Sequence, residues 1–147
     1  MEKVNVLLVD DERDFRDIMK RKIELWGYNV IPISNGKKAI DAVRSGKGNI
    51  VVLDYIMPKM DGLSILKEIR KINLQIPVIM LTAHPDEKSI NWAKRLGVLA
   101  FIPKFKVGSD AESRLKPALK MAKEKFLAYK VNSAFKKNRR KNTKFYR

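Results

Sequence analysis

The chain has 147 residues, 45% of them hydrophobic, which suits one domain with one core. It has no cysteine and a single histidine, His84, so disulfides, thiolate metal sites, thiol nucleophiles and His-rich zinc sites are excluded. Net charge is +16 and unevenly spread: residues 1–112 carry a balance of +4, and residues 113–147 carry 13 Lys and Arg against one acid, Glu124.

Along the chain, apolar runs alternate with helix-like segments. Val4–Val9 reads as a buried strand, and Asp14–Trp26 follows with Phe15, Ile18, Met19, Ile23 and Trp26 at helical spacing, stopped by Gly27. Asn29–Ile33 is a second strand. Ser34-Asn35-Gly36 then forms a turn and cap, and Lys37–Ser45 is a helix with Ala39, Ile40 and Val43 on one face. Ile50–Leu53 is the third strand, 57–62 a loop, and Leu63–Ile72 a helix with Ile65, Leu66 and Ile69 inward. Pro77–Leu81 is the fourth strand. Pro85-Asp86-Glu87 opens a helix that reaches Leu96, and Val98–Ile102 is the fifth strand. Ser109-Asp110 caps a last helix with Leu115, Leu119, Ala122, Phe126 and Tyr129 on one stripe; it runs toward Lys137, and NRRKNTKFYR beyond it reads as disordered or as folding on contact. Five such units with strands buried on both faces argue an α/β protein, a parallel sheet covered by helices.

Ligands of such sheets gather at the carboxyl ends of the strands, near the point where strand order reverses. Asp10 and Asp11 in LLVDD, Asp54 in VVLDYIMP, Thr82 in VIMLTA and Lys104 in AFIPK each stand at or near such an end. Clustered carboxylates raise one another's pKa unless a cation sits among them, and oxygen-only ligands suit a hard ion such as Mg2+. A carboxylate, a divalent metal, a hydroxyl and an ammonium are the parts needed to carry a phosphoryl group on an aspartate.

VDDE, LDYIMPKMDG, MLTA and AFIPK, in that order and spacing, resemble the receiver domain of two-component response regulators over about residues 3–126. The resemblance implies a flavodoxin-like fold with strand order 2-1-3-4-5, forming a receiver domain over 1–126 with a basic C-terminal extension over 127–147. It implies phosphorylation of Asp54 by a histidine kinase, a phosphotransfer protein or a small phosphodonor. Asp10 and Asp11 resemble the acidic pair that holds Mg2+, with Asp11 the more direct ligand and the Ile56 carbonyl a further one. Thr82 resembles the switch hydroxyl, Lys104 the lysine that pairs with the phosphoryl group, and Phe101 the aromatic switch. Ile56 and His84 match positions that flank the phosphoryl group, and an apolar Ile56 that cannot orient water implies a long phosphoryl lifetime. The protein is then a signalling switch that promotes its own phosphorylation and dephosphorylation, not a turnover enzyme. One departure stands out: the family's lysine is usually followed by proline, whereas here Phe105 follows Lys104 and Pro103 precedes it. That predicts a differently built loop after the fifth strand.

Three functions compete. The first is a stand-alone receiver that switches binding to a downstream protein through a surface around Trp92, Phe101 and Leu115. The second is a receiver whose basic tail, with Phe135, Phe145 and Tyr146 interleaved, binds nucleic acid or an anionic surface under phosphorylation control. The third is a metal-dependent phosphohydrolase with Asp10 as nucleophile and Glu12 as general acid. No helix-turn-helix pattern fits residues 127–147, so sequence-specific DNA reading is not expected from the tail. No apolar run approaches the roughly 20 residues that span a bilayer, and the apolar stretch of MEKVNVLLVDDE stops at acids, unlike a signal peptide, which agrees with a cytoplasmic protein.

Overall fold

The computed structural model describes residues 3–84, 86–104 and 110–143. Strands and helices alternate: β1 (Asn5–Val9), α1 (Arg13–Leu25), β2 (Asn29–Ile33), α2 (Gly36–Arg44), β3 (Ile50–Asp54), α3 (Gly62–Ile72), β4 (Val78–Thr82), α4 (Glu87–Arg95), β5 (Ala100–Pro103) and α5 (Asp110–Thr143). The strands form one parallel sheet in the order β2-β1-β3-β4-β5, the flavodoxin-like arrangement. Strand order reverses between β1 and β3, which places the ends of those two strands on either side of the switch point.

Strand side chains alternate between two cores, as a period of two requires. Leu7, Val9, Val51, Leu53, Val78 and Met80 face the layer of α2 and α3, where Ala39, Ile40, Val43, Ile65, Leu66 and Ile69 cover them. Val6, Leu8, Ile50, Val52, Ile79 and Leu81 face α1 and α5, where Met19, Ile23, Leu115, Leu119 and Ala122 cover them. Both faces are dry, so the central strands read as unbroken apolar runs. Each inward residue expected on α2 and α3 is buried. Asn35, Asp61 and Asp86 cap α2, α3 and α4 by accepting from Lys38, Ser64 and Ser89 backbone N–H groups.

Three expectations need correction. Residues 138–143, read as disordered, belong to α5, which has no Gly or Pro to stop it after Pro117. Tyr129 lies beyond the sheet and is 51% exposed, so the inner stripe of α5 ends at the half-buried Phe126. Leu115 is fully buried on the inner face of α5 and cannot form part of an output surface. Pro85, Phe105, Ser109, Phe145 and Tyr146 lie outside the described residues.

Arg70, which sequence periodicity does not single out, ties the far end of the sheet together. Its guanidinium donates to the carbonyls of Leu96 (2.7 Å), Ile76 (2.7 Å), Gly97 (3.1 Å) and Asn73 (3.3 Å), joining the α3–β4 and α4–β5 connections. Arg suits this site because its planar fork offers several fixed donors, which a lysine lacks. Replacing Arg70 with Met leaves these carbonyls to find other donors. Denaturant unfolding of Arg70→Met should show a loss of about 2–3 kcal/mol, and Arg70→Lys should recover only part of it.

Candidate functional site

The carboxyl ends of β1, β3, β4 and β5 converge on one acidic pocket. Asp10 follows β1, and its N–H donates to Ile33 O at 3.0 Å, extending the β1–β2 pairing. Asp54 closes β3, whose Leu53 is paired with Val9, so the two carboxylates stand on neighbouring strands. Both are buried, at 1% and 4% exposure, and Asp11 is exposed beside them. The loop that leaves Asp54 is pinched at its neck by Gly62, whose N–H donates to Tyr55 O at 2.7 Å. A Cβ at Gly62 would meet Tyr55 Cα at 2.7 Å and Asp54 O at 2.8 Å, so only glycine fits there.

Lys104 supplies the opposing charge. Its Nζ lies 2.7 Å from Asp10 Oδ2, 3.4 Å from Asp54 Oδ2 and 3.7 Å from Glu12 Oε2, with the side chain only 8% exposed. Its backbone N–H donates to Thr82 O, so the ladder between β4 and β5 continues to the residue that carries the ammonium. Lys104 reaches the pocket without a proline after it. The loop at 105–109 is outside the described residues, and no described peptide bond is cis. The Phe15 ring lies beneath the ammonium at 4.0 Å, a cation–π contact that adds to its hold.

Burial pushes the Asp54 carboxyl up from 3.8 to about 6, and the Asp10 charge pushes the same way; Lys104 and the Ile56 N–H offset only part of this. Asp10 is also raised, chiefly by burial, against the pull of Lys104 and of the Glu12 N–H on its Oδ1. Burial acts to lower the Lys104 pKa, but the hydrogen bond and charge of Asp10, with the Asp54 charge, outweigh it and hold the ammonium above its ordinary value.

Carboxylate oxygens of Asp10, Asp11 and Asp54 lie within 4.8 Å of one another. Opposed ligands of Mg2+, with bonds of about 2.0–2.1 Å, stand about 4.2 Å apart, so small side-chain movements suffice to bring all three onto one hard cation. An all-oxygen, acid-rich donor set fits such an ion. Ile56 lies two residues after Asp54; its N–H donates to Asp54 Oδ1 at 3.3 Å and its side chain is 46% exposed.

A family model for the response regulator receiver domain matches residues 6–113. The chain belongs to that family. It is 34% identical over 120 residues to a probable transcriptional regulator, ycf27, of Porphyridium aerugineum, covering 82% of this chain and 50% of that protein. It is 31% identical over 115 residues to the alkaline phosphatase synthesis transcriptional regulatory protein PhoP of Bacillus subtilis, covering 78% and 48%. The chain thus spans about half the length of the curated relatives it matches. The crystal structure of a CheY-like response regulator receiver domain protein from Methanospirillum hungatei JF-1 superposes with a TM-score of 0.74 at 22% identity, over 84% of this chain and 98% of that one. A receiver domain protein from Clostridium thermocellum superposes with the same score at 25% identity, over 87% and 98%.

Within the receiver, the remaining predicted residues are placed as follows. Thr82 ends β4, fully buried, one position past Leu81, the partner of Asp54 in the ladder; its Oγ1 accepts from His84 N–H at 3.2 Å. His84 itself is exposed. Phe101 is half-buried on β5 opposite Met80, with its ring centroid 6.3 Å from that of Tyr55. Trp92 is 39% exposed on α4, flanked by Lys67 and Arg95 over its ring. Asp10, the nucleophile of the phosphohydrolase reading, accepts from Lys104 at Oδ2 and from Glu12 N–H at Oδ1, and the Glu12 carboxylate lies 3.7 Å from the same ammonium.

Sequence reasoning missed the contacts of four residues. Glu12 and Phe15 contact Lys104 from the start of α1, and the latter was legible only as core. Tyr55 shares a hydrogen bond of 2.7 Å with Ser89 Oγ, which links the residue after Asp54 to the first turn of α4. No local pattern marks that pair, since its members are separated by 34 residues.

The raised Asp54 pKa sets a pH dependence in the absence of metal. The folded state binds the proton more tightly than the unfolded chain, so the favourable contribution is complete below pH 3.8 and is lost as pH rises through about 6. Metal-free Asp54→Asn should therefore be more stable than the wild type at pH 7 by about 1–3 kcal/mol, with the gap closing toward pH 4. Denaturant titrations at the two pH values measure it.

Proposed function

We propose that this receiver accepts a phosphoryl group on Asp54 from a histidine kinase, a phosphotransfer protein or a small phosphodonor, and that the acyl phosphate switches binding to a downstream protein. The observation that carries this reading is a buried Asp54 packed against Asp10 with the Lys104 ammonium 3.4 Å away. Asp10, Asp11, Asp54 and the Ile56 carbonyl would hold Mg2+, which when bound keeps Asp54 ionised and neutralises charge on the phosphoryl oxygens.

A carboxylate is a weak nucleophile, so the protein's part is aim and electrostatics. An Asp54 oxygen forms the new bond to phosphorus while the bond to the leaving group breaks and its electron pair departs with that group. The Ile56 N–H steadies Asp54 Oδ1. Lys104 stands between Asp10 and Asp54 and needs only a small shift to reach the oxygens of the incoming dianion. An open cleft lined by Asp11, Asn35, Lys37, Met57 and Lys59 borders the pocket, and its two lysines favour an anionic donor. Thr82 now accepts from the His84 amide; turning its hydroxyl toward a phosphoryl oxygen moves the end of β4 and reweights conformers around Phe101. Output then passes through Trp92 on α4 and Phe101 on β5. In this reading the protein is a switch that promotes its own phosphorylation and dephosphorylation, without turnover of an external substrate.

With a small acyl phosphate donor and Mg2+, intact mass measurement should show the gain of one phosphoryl group on the wild type and none on Asp54→Asn. Chelation of the metal should abolish the gain, and transfer to any other residue would remove Asp54 from the role. Ile56 and His84 are both exposed beside the strand ends, and Ile56 offers no group to orient water. The phosphorylated species should accordingly decay over minutes or longer at 25 °C when followed by mass, and decay within seconds contradicts that assignment of Ile56.

A further inference from the structure

We propose that the pole of the domain opposite Asp54, led by the outer face of α5, lies on an anionic lipid surface. α5 begins after β5 at the carboxyl ends of the strands, packs Leu115, Leu119 and Ala122 on the sheet, and runs past its far edge. There Lys125, Ala128 and Asn132 line a cleft with Leu74, Pro77 and Gly97, which are in the connections leading into β4 and β5. The last turns of the helix therefore project from the end of the sheet remote from the acidic pocket.

That projecting part is amphipathic in a direction the core does not use. Leu127, Val131, Ala134 and Phe135 recur at the spacing of one helical face, rotated away from the stripe of Leu115, Leu119, Ala122 and Phe126. All four are exposed, Val131 by 67% and Phe135 by 65%. Lys130, Lys137 and Lys141 run along one border of this face, also exposed. No acid occurs after Glu124. Exposed apolar side chains bordered by lysines describe a helix that lies in the plane of a membrane interface, with its apolar face in the acyl boundary and its ammonium groups among anionic headgroups.

The rest of the pole agrees. Helices of a parallel sheet end beside the amino ends of the next strands, so the last turns of α2, α3 and α4 bring Arg44, Lys71, Lys94 and Arg95 to this side. Leu25 and Leu74, 85% and 76% exposed, lie there too. The buried acids gather at the opposite end, so the molecule has a charge axis that turns this pole toward a negative surface. A second copy of the chain fits poorly, because two of these projecting segments, each without acids after Glu124, repel one another. Nucleic acid would satisfy the lysines but leave Leu127, Val131 and Phe135 in water. The surface shares no residue with the Asp54 pocket and does not depend on its chemistry.

Flotation of the full chain with vesicles tests this. Vesicles of phosphatidylcholine containing about 30% phosphatidylserine should carry the protein, pure phosphatidylcholine should not, and rising salt should release it. The variant Leu127→Gln, Val131→Gln, Phe135→Gln keeps charge and helix propensity, and its partition should fall roughly tenfold or more. Independently, the emission that Val131→Trp adds to that of Trp26 and Trp92, taken as the difference from the wild type, should be blue-shifted on the anionic vesicles. Equal partition of the glutamine variant, an unshifted Val131→Trp emission, or binding to duplex DNA with none to vesicles would each overturn the proposal, the last in favour of nucleic acid.

Discussion

A single ammonium group holds two buried carboxylates at the mouth of the sheet. Lys104 follows the edge strand β5, reaches past the end of β4, and meets Asp10 just after β1 and Asp54 at the end of β3. Burial disfavours both negative charges, and the fixed geometry around the Lys104 ammonium offsets part of that cost. The balance is incomplete: Asp54 stays above its ordinary pKa, so the pocket retains unmet demand for positive charge. In the proposed function, that residual demand would draw first a hard cation and then an anionic group that the cation and Lys104 could share.

The fold supplies the rigidity this requires. Two dry cores clamp the central strands from both sides, so their carboxyl ends cannot drift apart. Gly62 closes the loop after Asp54 against the backbone itself, and Arg70 secures the connections at the opposite edge. Movement is left to elements with fewer ties. Thr82 is restrained through its side chain by one long hydrogen bond from His84, and Phe101 is half-buried against Tyr55.

Most of this architecture was legible because it rests on local rules. Strand ends, caps and inward helix faces follow from periodicity and from Asn, Asp and Gly at breaks, and β2 falls on the same residues in sequence and structure. The acidic pocket was legible because the chemistry of carboxylates, hydroxyl and ammonium converges at strand ends of a known topology. What escaped was non-local. The pairing of Tyr55 with Ser89 and the fan of carbonyls around Arg70 depend on how separate connections meet in space. The length of α5 escaped for another reason: a lysine-rich segment resembles a disordered tail by composition, yet Lys and Arg are good helix formers and the segment extends a helix already nucleated on the core.

The continuity of α5 gives the molecule a lever. Its first turns start six residues after Lys104, and its last lie beyond the sheet, with no break among the described residues between them. From Ala122, the last fully buried contact, to Thr143 the axis runs about 30 Å. A tilt of about 10° at the packed end, small for a helix sliding on a sheet, would sweep the tip through about 5 Å. Events at the acidic pole would then be felt at the basic one as displacement, without any ligand having to travel between them.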